Sequence, residues 1–372
     1  MINENLLKPE ERAVYALRSL YHRYGYLPYK MSKFEEYDLY VKNKDFLISE
    51  GIITFTDTRG KLLALKPDVT LSIIKNSKDV GDALSKVYYN ENVYRIAKGS
   101  REYREILQTG LECIGAIDAY HVTEVLVLAA RSLAILSPSY VLSVSHVGLL
   151  SALLSPFALS EKAEKKLLSA VEKKNAGEIA ALLSVGELTE GAAALAECLL
   201  REYKTIAEAR AALSPYLTSA TAVDAFAEFA ALMDALADLG MASQTRIDFS
   251  VVNYSGYYSG IAFKGYIKGI PDSVLAGGQY DRIMRKMGRR DGAVGFAVYL
   301  DALSALERST VEYDADVLLL KNGASTSAVL RAVEALSADG SSVTVLDAAP
   351  TELRAKRTVI LEGEEVVEHG ND

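Results

Sequence analysis

The chain has 372 residues, half of them apolar, 24% charged and only eight proline. That balance describes a folded protein with room for two or three domains and excludes a disordered or fibrous one. The net charge of −8 argues against a broad nucleic-acid footprint, which needs clustered cations to displace counterions from phosphate.

No run of 18 apolar residues occurs, and charge begins at Glu4. Neither a membrane span nor an export signal is therefore expected. The two cysteines, Cys113 and Cys198, stand in apolar surroundings without metal-ligand or redox spacing. Buried reduced thiols and a cytoplasmic location follow.

Taken in chain order, residues 8 to 26 place Val14, Leu17, Leu20 and Tyr21 at helical spacing and stop at Gly25, which predicts an N-terminal helix followed by extended chain. The stretch GIITFTDTRGKLLALKPD reads as a hairpin turning at Asp57 to Gly60. A second hairpin, VYRIAKGSREYREILQTGLECIGA, turns around Gly99. An antiparallel sheet is the natural inference. Residues 157 to 240 become rich in Ala, Leu, Glu and Lys and predict a helical insertion. Strand pattern returns over 246 to 270. One helix is expected over 280 to 287 and another from about Gly295. From about residue 314 the pattern is strand, helix, strand, strand. Val311 to Asp372 hold twelve acidic residues against five basic ones, so this small α/β unit carries most of the excess charge. It reads equally as an interaction surface or a stabilising domain.

In YREILQTGLECIG, alternation puts Arg104, Ile106, Gln108, Gly110, Glu112 and Ile114 on one face. Gln108 can donate and accept, Glu112 supplies fixed negative charge, and Gly110 between them leaves open ground for a small ligand. Taken alone, such a strand reads rather as a solvated face. None of His22, His121, His146 and His369 has metal-ligand spacing, so no metal is expected and each reads as a surface or satisfied core residue.

Five segments, LLALKPDVT, NVYRIAKGSREYREILQTGLECIG, NYSGYYSGIAFKGY, AGGQYD and AVGFAVYLDAL, follow in the order and spacing of histidyl-tRNA synthetase, a class II synthetase. The resemblance covers roughly residues 1 to 305. It implies an α+β fold with a class II synthetase-like antiparallel sheet flanked by helices, a core over 1–310 containing the 157–240 insertion, and a separate domain over 311–372. It also implies dimerisation through the N-terminal region. On the amino-acid side of the implied pocket, Asp68 and Thr70 stand where that family has Glu and Thr. Arg95, Gln108 and Glu112 match its motif 2, and Tyr257 and Tyr258 match its tyrosine pair. Gly277 and Gly278 would let backbone approach the ligand, so these nine residues form the implied histidine site.

The catalytic side departs from the pattern. Asn253 stands where the family has an arginine that meets the reacting phosphate, and Tyr299-Leu300-Asp301-Ala302 replaces a Gly-Leu-Glu-Arg ending. Tyr299 would crowd a nucleotide, Ser32 stands for a motif 1 proline, and the loop between Arg95 and Arg104 is short. Charge developing on phosphate needs a preorganised cation, and losing one such donor costs about 10²- to 10³-fold in rate.

In this combination the chain resembles the regulatory subunits of ATP phosphoribosyltransferase, paralogues of histidyl-tRNA synthetase. That resemblance implies no catalysis of its own, no cofactor, no tRNA, a short-form catalytic subunit as partner, histidine as effector, and a homodimer within a hetero-oligomer. Two alternatives stay open. One is an active histidyl-tRNA synthetase; the other is a ligase for another carrier in which Lys98, Arg101 and Arg104 replace the lost cations.

Overall fold

The computed structural model describes residues 7–44, 47, 51–78, 81, 83–96, 102–252, 257–305 and 313–369. The chain forms two compact units, Met1–Leu306 and Glu307–Asp372.

The first unit begins with α1 (Pro9–Arg23), which has Pro9 in its first turn beside Glu10 and Glu11, and His22 and Arg23 in its last. Each charge sits at the end of the helix dipole that favours it. Gly25, at φ +80°, ends the helix as expected and leads into β1 (Leu27–Pro28). Then come β2 (Phe34–Glu36), α2 (Tyr37–Lys42), and the hairpin β3 (Thr54–Thr56) with β4 (Leu62–Leu65). That hairpin turns where predicted. Asp57 Oδ1 accepts the backbone N–H groups of Arg59 and Lys61, both at 2.8 Å, and Gly60 takes the positive φ.

Next come α3 (Thr70–Asn76), the long strands β5 (Leu84–Ile96) and β6 (Tyr103–Gly115), α4 (Ala119–Leu136), β7 (Tyr140–His146) and α5 (Val147–Leu154). Strands β5 and β6 pair antiparallel along their whole length. The turn expected around Gly99, together with Lys98 and Arg101, lies outside the described residues. By length and composition α4 is apolar enough to cross a membrane. In this fold its Val125, Leu126, Leu128, Ala129 and Leu133 are core residues, and Glu124 pairs with Lys86 at 2.6 Å.

The helical insertion comprises α6 (Glu161–Glu172), α7 (Ala176–Ser184), α8 (Glu190–Leu199), the two-residue strand β8 (Glu202–Tyr203), α9 (Ile206–Leu213) and α10 (Ala220–Asp238). Its polar punctuation has a physical reason. Ser160, Asn175, Thr189, Thr205 and Ser219 each accept a backbone N–H from the first turn of the helix that follows.

The chain then returns through β9 (Thr245–Asp248), β10 (Ile261–Ile267), β11 (Leu275–Gln279), α11 (Asp281–Lys286) and β12 (Gly292–Tyr299). The helix expected from Gly295 is a strand. Between β6 and β11 it is buried on both faces, so GFAVY shows a continuous apolar run, a pattern shared by central strands and buried helices. A 3₁₀ turn over Leu300–Ala305 follows.

The sheet order is β1-β5-β6-β12-β11-β10-β7-β9-β8. All pairs are antiparallel except β1 with β5 and β7 with β9. One face carries α1 and α4 over the main core. The other carries a second cluster built from Val69, Leu71, Tyr89, Tyr257, Tyr280 and Ile283, and this second face holds the site.

The second unit is a four-stranded sheet, β14 (Val343–Leu346), β13 (Ala315–Leu320), β15 (Ala355–Glu362) and β16 (Glu365–His369), with α12 (Thr326–Leu336) packed on Val317, Leu319, Val359 and Leu361. The hairpin to β16, turning at Gly363 with φ +66°, is absent from the sequence expectation.

A buried ion pair ties β4 to β5: Lys66 has no exposure and its Nζ lies 2.5 Å from Glu91 Oε2. Breaking such a pair strands a charge. Lys66→Met should cost about 3 kcal/mol, and adding Glu91→Leu should recover most of it. Urea denaturation of the two variants checks both signs.

Candidate ligand pocket

The alternation argument for β6 holds. Gln108 and Glu112 share a face, and both line a cavity of about 50 Å³ on the second face of the sheet. Asp68 and Thr70 reach it from the start of α3, and Arg95 from β5. Tyr257, Tyr258 and Gly277 close it from the segment before β10 and from β11. Eight of the nine expected site residues therefore meet at one place. Gly278 does not line the cavity: a side chain there would collide with the carbonyl of Ile261 and the ring of Tyr258, so its role is to admit that ring. Asn253 lies outside the described residues.

Gly110 also departs from expectation. Its bare backbone is covered by the hydroxyl end of Tyr89, its partner in the β5–β6 register, so the ground expected for a ligand belongs to a protein side chain. The truly permissive glycine is Gly295. It pairs with Glu112 across β6 and β12, and a Cβ there would overlap the Glu112 carboxyl and the Leu111 carbonyl.

Glu112 is 2% exposed. Its Oε1 accepts from the Thr70 hydroxyl at 2.8 Å and its Oε2 from the Tyr280 hydroxyl at 2.6 Å. Burial pushes its pKa up to about 8, against the pull of those two hydrogen bonds. Asp68 is also raised by burial, while the Arg95 guanidinium and two backbone N–H groups draw it back. One of those N–H groups, from Leu71, lies 2.8 Å from Asp68 Oδ1. Arg95 donates from Nε to the Pro67 carbonyl at 2.6 Å and stands 3.9 Å from Asp68. Gln108 is buried, and its Nε2 has no partner.

Three wall residues carry functions that the sequence reading did not assign. Tyr280 donates to Glu112, Tyr89 covers Gly110, and Tyr299 stands opposite Gln108. Burial raises the Tyr299 hydroxyl, and Arg95 pulls the other way. Tyr89 had a visible signal, since it alternates onto the same face of β5 as Arg95. Tyr280 stood within the AGGQYD segment, but its contact with Glu112 spans 168 positions of sequence and no local pattern pairs the two.

A cavity of this volume holds about four waters at ~10–15 Å³ each. It has room for a ring or a small charged group and opens to solvent. Ala302, where the family pattern has a cation, is partly buried against the main core. Among the described residues no group of His, Cys, Asp and Glu could hold a metal ion.

With this geometry in hand, comparison with known proteins is informative. A family model described as Histidyl-tRNA synthetase matches residues 3–303. The chain belongs to the histidyl-tRNA synthetase family. Within that family, the ATP phosphoribosyltransferase regulatory subunit of Clostridium kluyveri is 26% identical over 297 residues, 77% of this chain and 75% of that one. A protein of the same name from Bacillus thuringiensis (strain Al Hakam) is 27% identical over 307 residues, 80% and 72% of the two chains. Solved structures agree on the fold. An ATP phosphoribosyltransferase regulatory subunit/histidyl-tRNA synthetase from Bacillus halodurans C has a TM-score of 0.72 at 23% identity, covering 92% of this chain and 90% of its own. The ATP phosphoribosyl transferase (HisG:HisZ) complex from Thermotoga maritima has a TM-score of 0.61 at 19% identity, covering 78% and 97%. The synthetase-like α+β fold expected from the motifs is the fold observed.

Glu112 also makes stability depend on pH. Its folded pKa of about 8 exceeds the ordinary 4.5, so between those values the folded chain holds a proton that the unfolded chain has lost. Stability should fall as pH rises through this window, by at most about 1.4 kcal/mol per unit from this group. Urea midpoints at pH 5, 6.5 and 8 should converge between wild type and Glu112→Gln at low pH and diverge, in favour of the variant, towards pH 8.

Proposed function

We propose that this chain is the non-catalytic regulatory subunit of ATP phosphoribosyltransferase, acting in the first step of histidine biosynthesis. It supports a short catalytic subunit and contributes to feedback inhibition by histidine. The observation that carries this reading is the division of the pocket. Groups suited to an amino acid are assembled, and among the described residues no uncommitted cation lines the cavity to handle phosphate. Among the described residues Arg95 is the only guanidinium lining the cavity, and it is already committed to the Pro67 carbonyl and Asp68. Ala302 brings no charge, and Tyr299 lines the cavity beside Arg95. The names borne by the relatives support the same assignment.

In this reading histidine is the effector, held by Asp68, Thr70, Arg95, Gln108, Glu112, Tyr257, Tyr258 and Gly277, with Gly278 setting Tyr258 in place. The carboxyl groups meet its nitrogens, Gln108 and the tyrosine hydroxyls meet its remaining polar atoms, and the rings enclose it. The subunit works in the cytoplasm as a homodimer within a hetero-oligomer, without tRNA.

Isolated chain should show no histidine-dependent exchange of pyrophosphate into ATP; robust exchange would favour the synthetase alternative. Mixed with a short catalytic subunit, it should change the rate of phosphoribosyl-ATP formation and confer histidine sensitivity. A coupling of about 1–3 kcal/mol gives roughly 5- to 150-fold. Failure to associate or to alter the rate sinks the assignment. Calorimetry should find that Glu112→Ala weakens histidine binding by about 1.5–3 kcal/mol, the range for a charged hydrogen bond.

A further inference from the structure

The charges inside the cavity do not balance. Its walls present two carboxyl groups, Asp68 and Glu112, and one guanidinium, Arg95. Arg95 and two backbone N–H groups serve Asp68. Glu112 has only neutral partners, the hydroxyls of Thr70 and Tyr280.

Among the described residues no cation faces it from any element packed around it. From α3 and the residues before it come Thr70 and the like charge of Asp68. From β5 comes Tyr89, with Arg95 turned to Asp68 and Tyr299. Tyr257 and Tyr258 face it from the segment before β10, and Tyr280 from the start of α11. Opposite it on β12 is Gly295, which has no side chain. A buried ion with neutral partners beside a like charge is costly, and taking up one proton removes the cost.

We propose that the pocket is built for a ligand that brings a positive charge to its Glu112 end, and that a proton on Glu112 holds that place while the pocket is empty. The proposal rests on the reading of this cavity as the effector pocket. The hydroxyls suit both states because each rotates. With Glu112 ionised, Thr70 and Tyr280 both donate to it. With Glu112 protonated, its O–H donates to one of them, and Thr70 can turn towards Tyr257, with which it also shares a hydrogen bond. When an ammonium or imidazolium group docks, the carboxyl O–H bond breaks. The proton leaves to solvent, or, where the ligand docks as a neutral imidazole, to its free ring nitrogen, and the ligand's resulting charge balances the carboxylate. Gln108 adds an independent requirement. Its unpartnered Nε2 is a donor waiting for an acceptor, so the ligand carries an acceptor atom within reach of its cation, as an amino-acid zwitterion does.

Difference infrared spectroscopy of the full chain at pH 7, with calorimetry to establish saturation, tests this. Empty wild type should show the carbonyl stretch of a protonated carboxyl group that Glu112→Gln lacks, and saturating L-histidine should abolish it. No such band in the empty protein, or a band that persists at saturation, overturns the proposal. If calorimetry finds no histidine binding while the band is present, the histidine reading is what fails. Imidazolium chloride then serves as the probe: loss of the band at saturation supports the proposal, and persistence overturns it. Should Glu112→Gln not fold, the band is followed against pH in wild type. A midpoint near 8 supports the assignment, and no acid band above about pH 6 refutes it.

Discussion

One carboxyl group buried at the middle of a nine-stranded sheet constrains everything around it. Glu112 needs room, and only a residue without a Cβ at position 295 supplies it. It needs donors, and these arrive from α3 through Thr70 and from the β11–α11 junction through Tyr280. The same rule extends along the central strands, where each glycine answers a specific neighbour: Gly110 the hydroxyl of Tyr89, Gly277 the ring of Phe263, Gly278 the ring of Tyr258. Glycine in a strand interior is ordinarily unfavourable. Here Gly110, Gly278 and Gly295 let bulky or charged groups lie flat on the pocket face, while Gly277 admits the Phe263 ring of the main core on the other.

The opposite face of the same strand shows what the pocket face gives up. Leu111 and Cys113 point into the main core under α1 and α4, and burial raises the Cys113 thiol to about 11, which keeps it an inert apolar filler. Polar groups on that side are satisfied within the fold. Lys86 and the Tyr26 and Tyr120 hydroxyls all converge on Glu124, and the Tyr21 hydroxyl meets Ser132 Oγ at 3.0 Å. On the pocket face Gln108 keeps an unused donor and Glu112 lacks a cation. A ligand in the pocket would complete both, whereas the other buried side-chain atoms without a partner among the described residues, on Tyr40, Ser72, Ser145 and Arg289, lie outside the cavity lining.

Legibility in the sequence follows from which interactions are local. Two-residue alternation placed Gln108 and Glu112 together correctly, and the Asp57 to Gly60 turn was readable because its hydrogen bonds span two to four residues. What failed depends on register between distant strands. Gly110 looked like open floor until β5 set Tyr89 over it, and GFAVY looked helical because a strand covered on both faces has no polar alternation. The Lys66–Glu91 pair and the Tyr280–Glu112 bond join segments 25 and 168 positions apart, beyond the reach of any local pattern. Motif order carried the fold across that gap, since the spacing of five segments encodes a topology that no single segment does.

The position of Glu112 also decides where occupancy of the pocket would be felt. The sheet strands on either side of it are long, paired on both edges and closely packed, and they resist small displacements. Helices α3 and α11 are different. They lie outside the sheet on the second core cluster and touch the carboxyl only through Thr70 and Tyr280. The two helices are also joined to each other, because Arg289, just beyond α11, donates to the Lys75 carbonyl at 3.2 Å near the end of α3. A change in which hydroxyl donates to Glu112 therefore acts on one connected layer rather than on two independent helices. Regulation requires that a ligand bind two states of an assembly with different free energies. In this fold the rotatable contacts of Glu112 belong to α3 and to the residue that opens α11, whereas the sheet meets it through paired backbone.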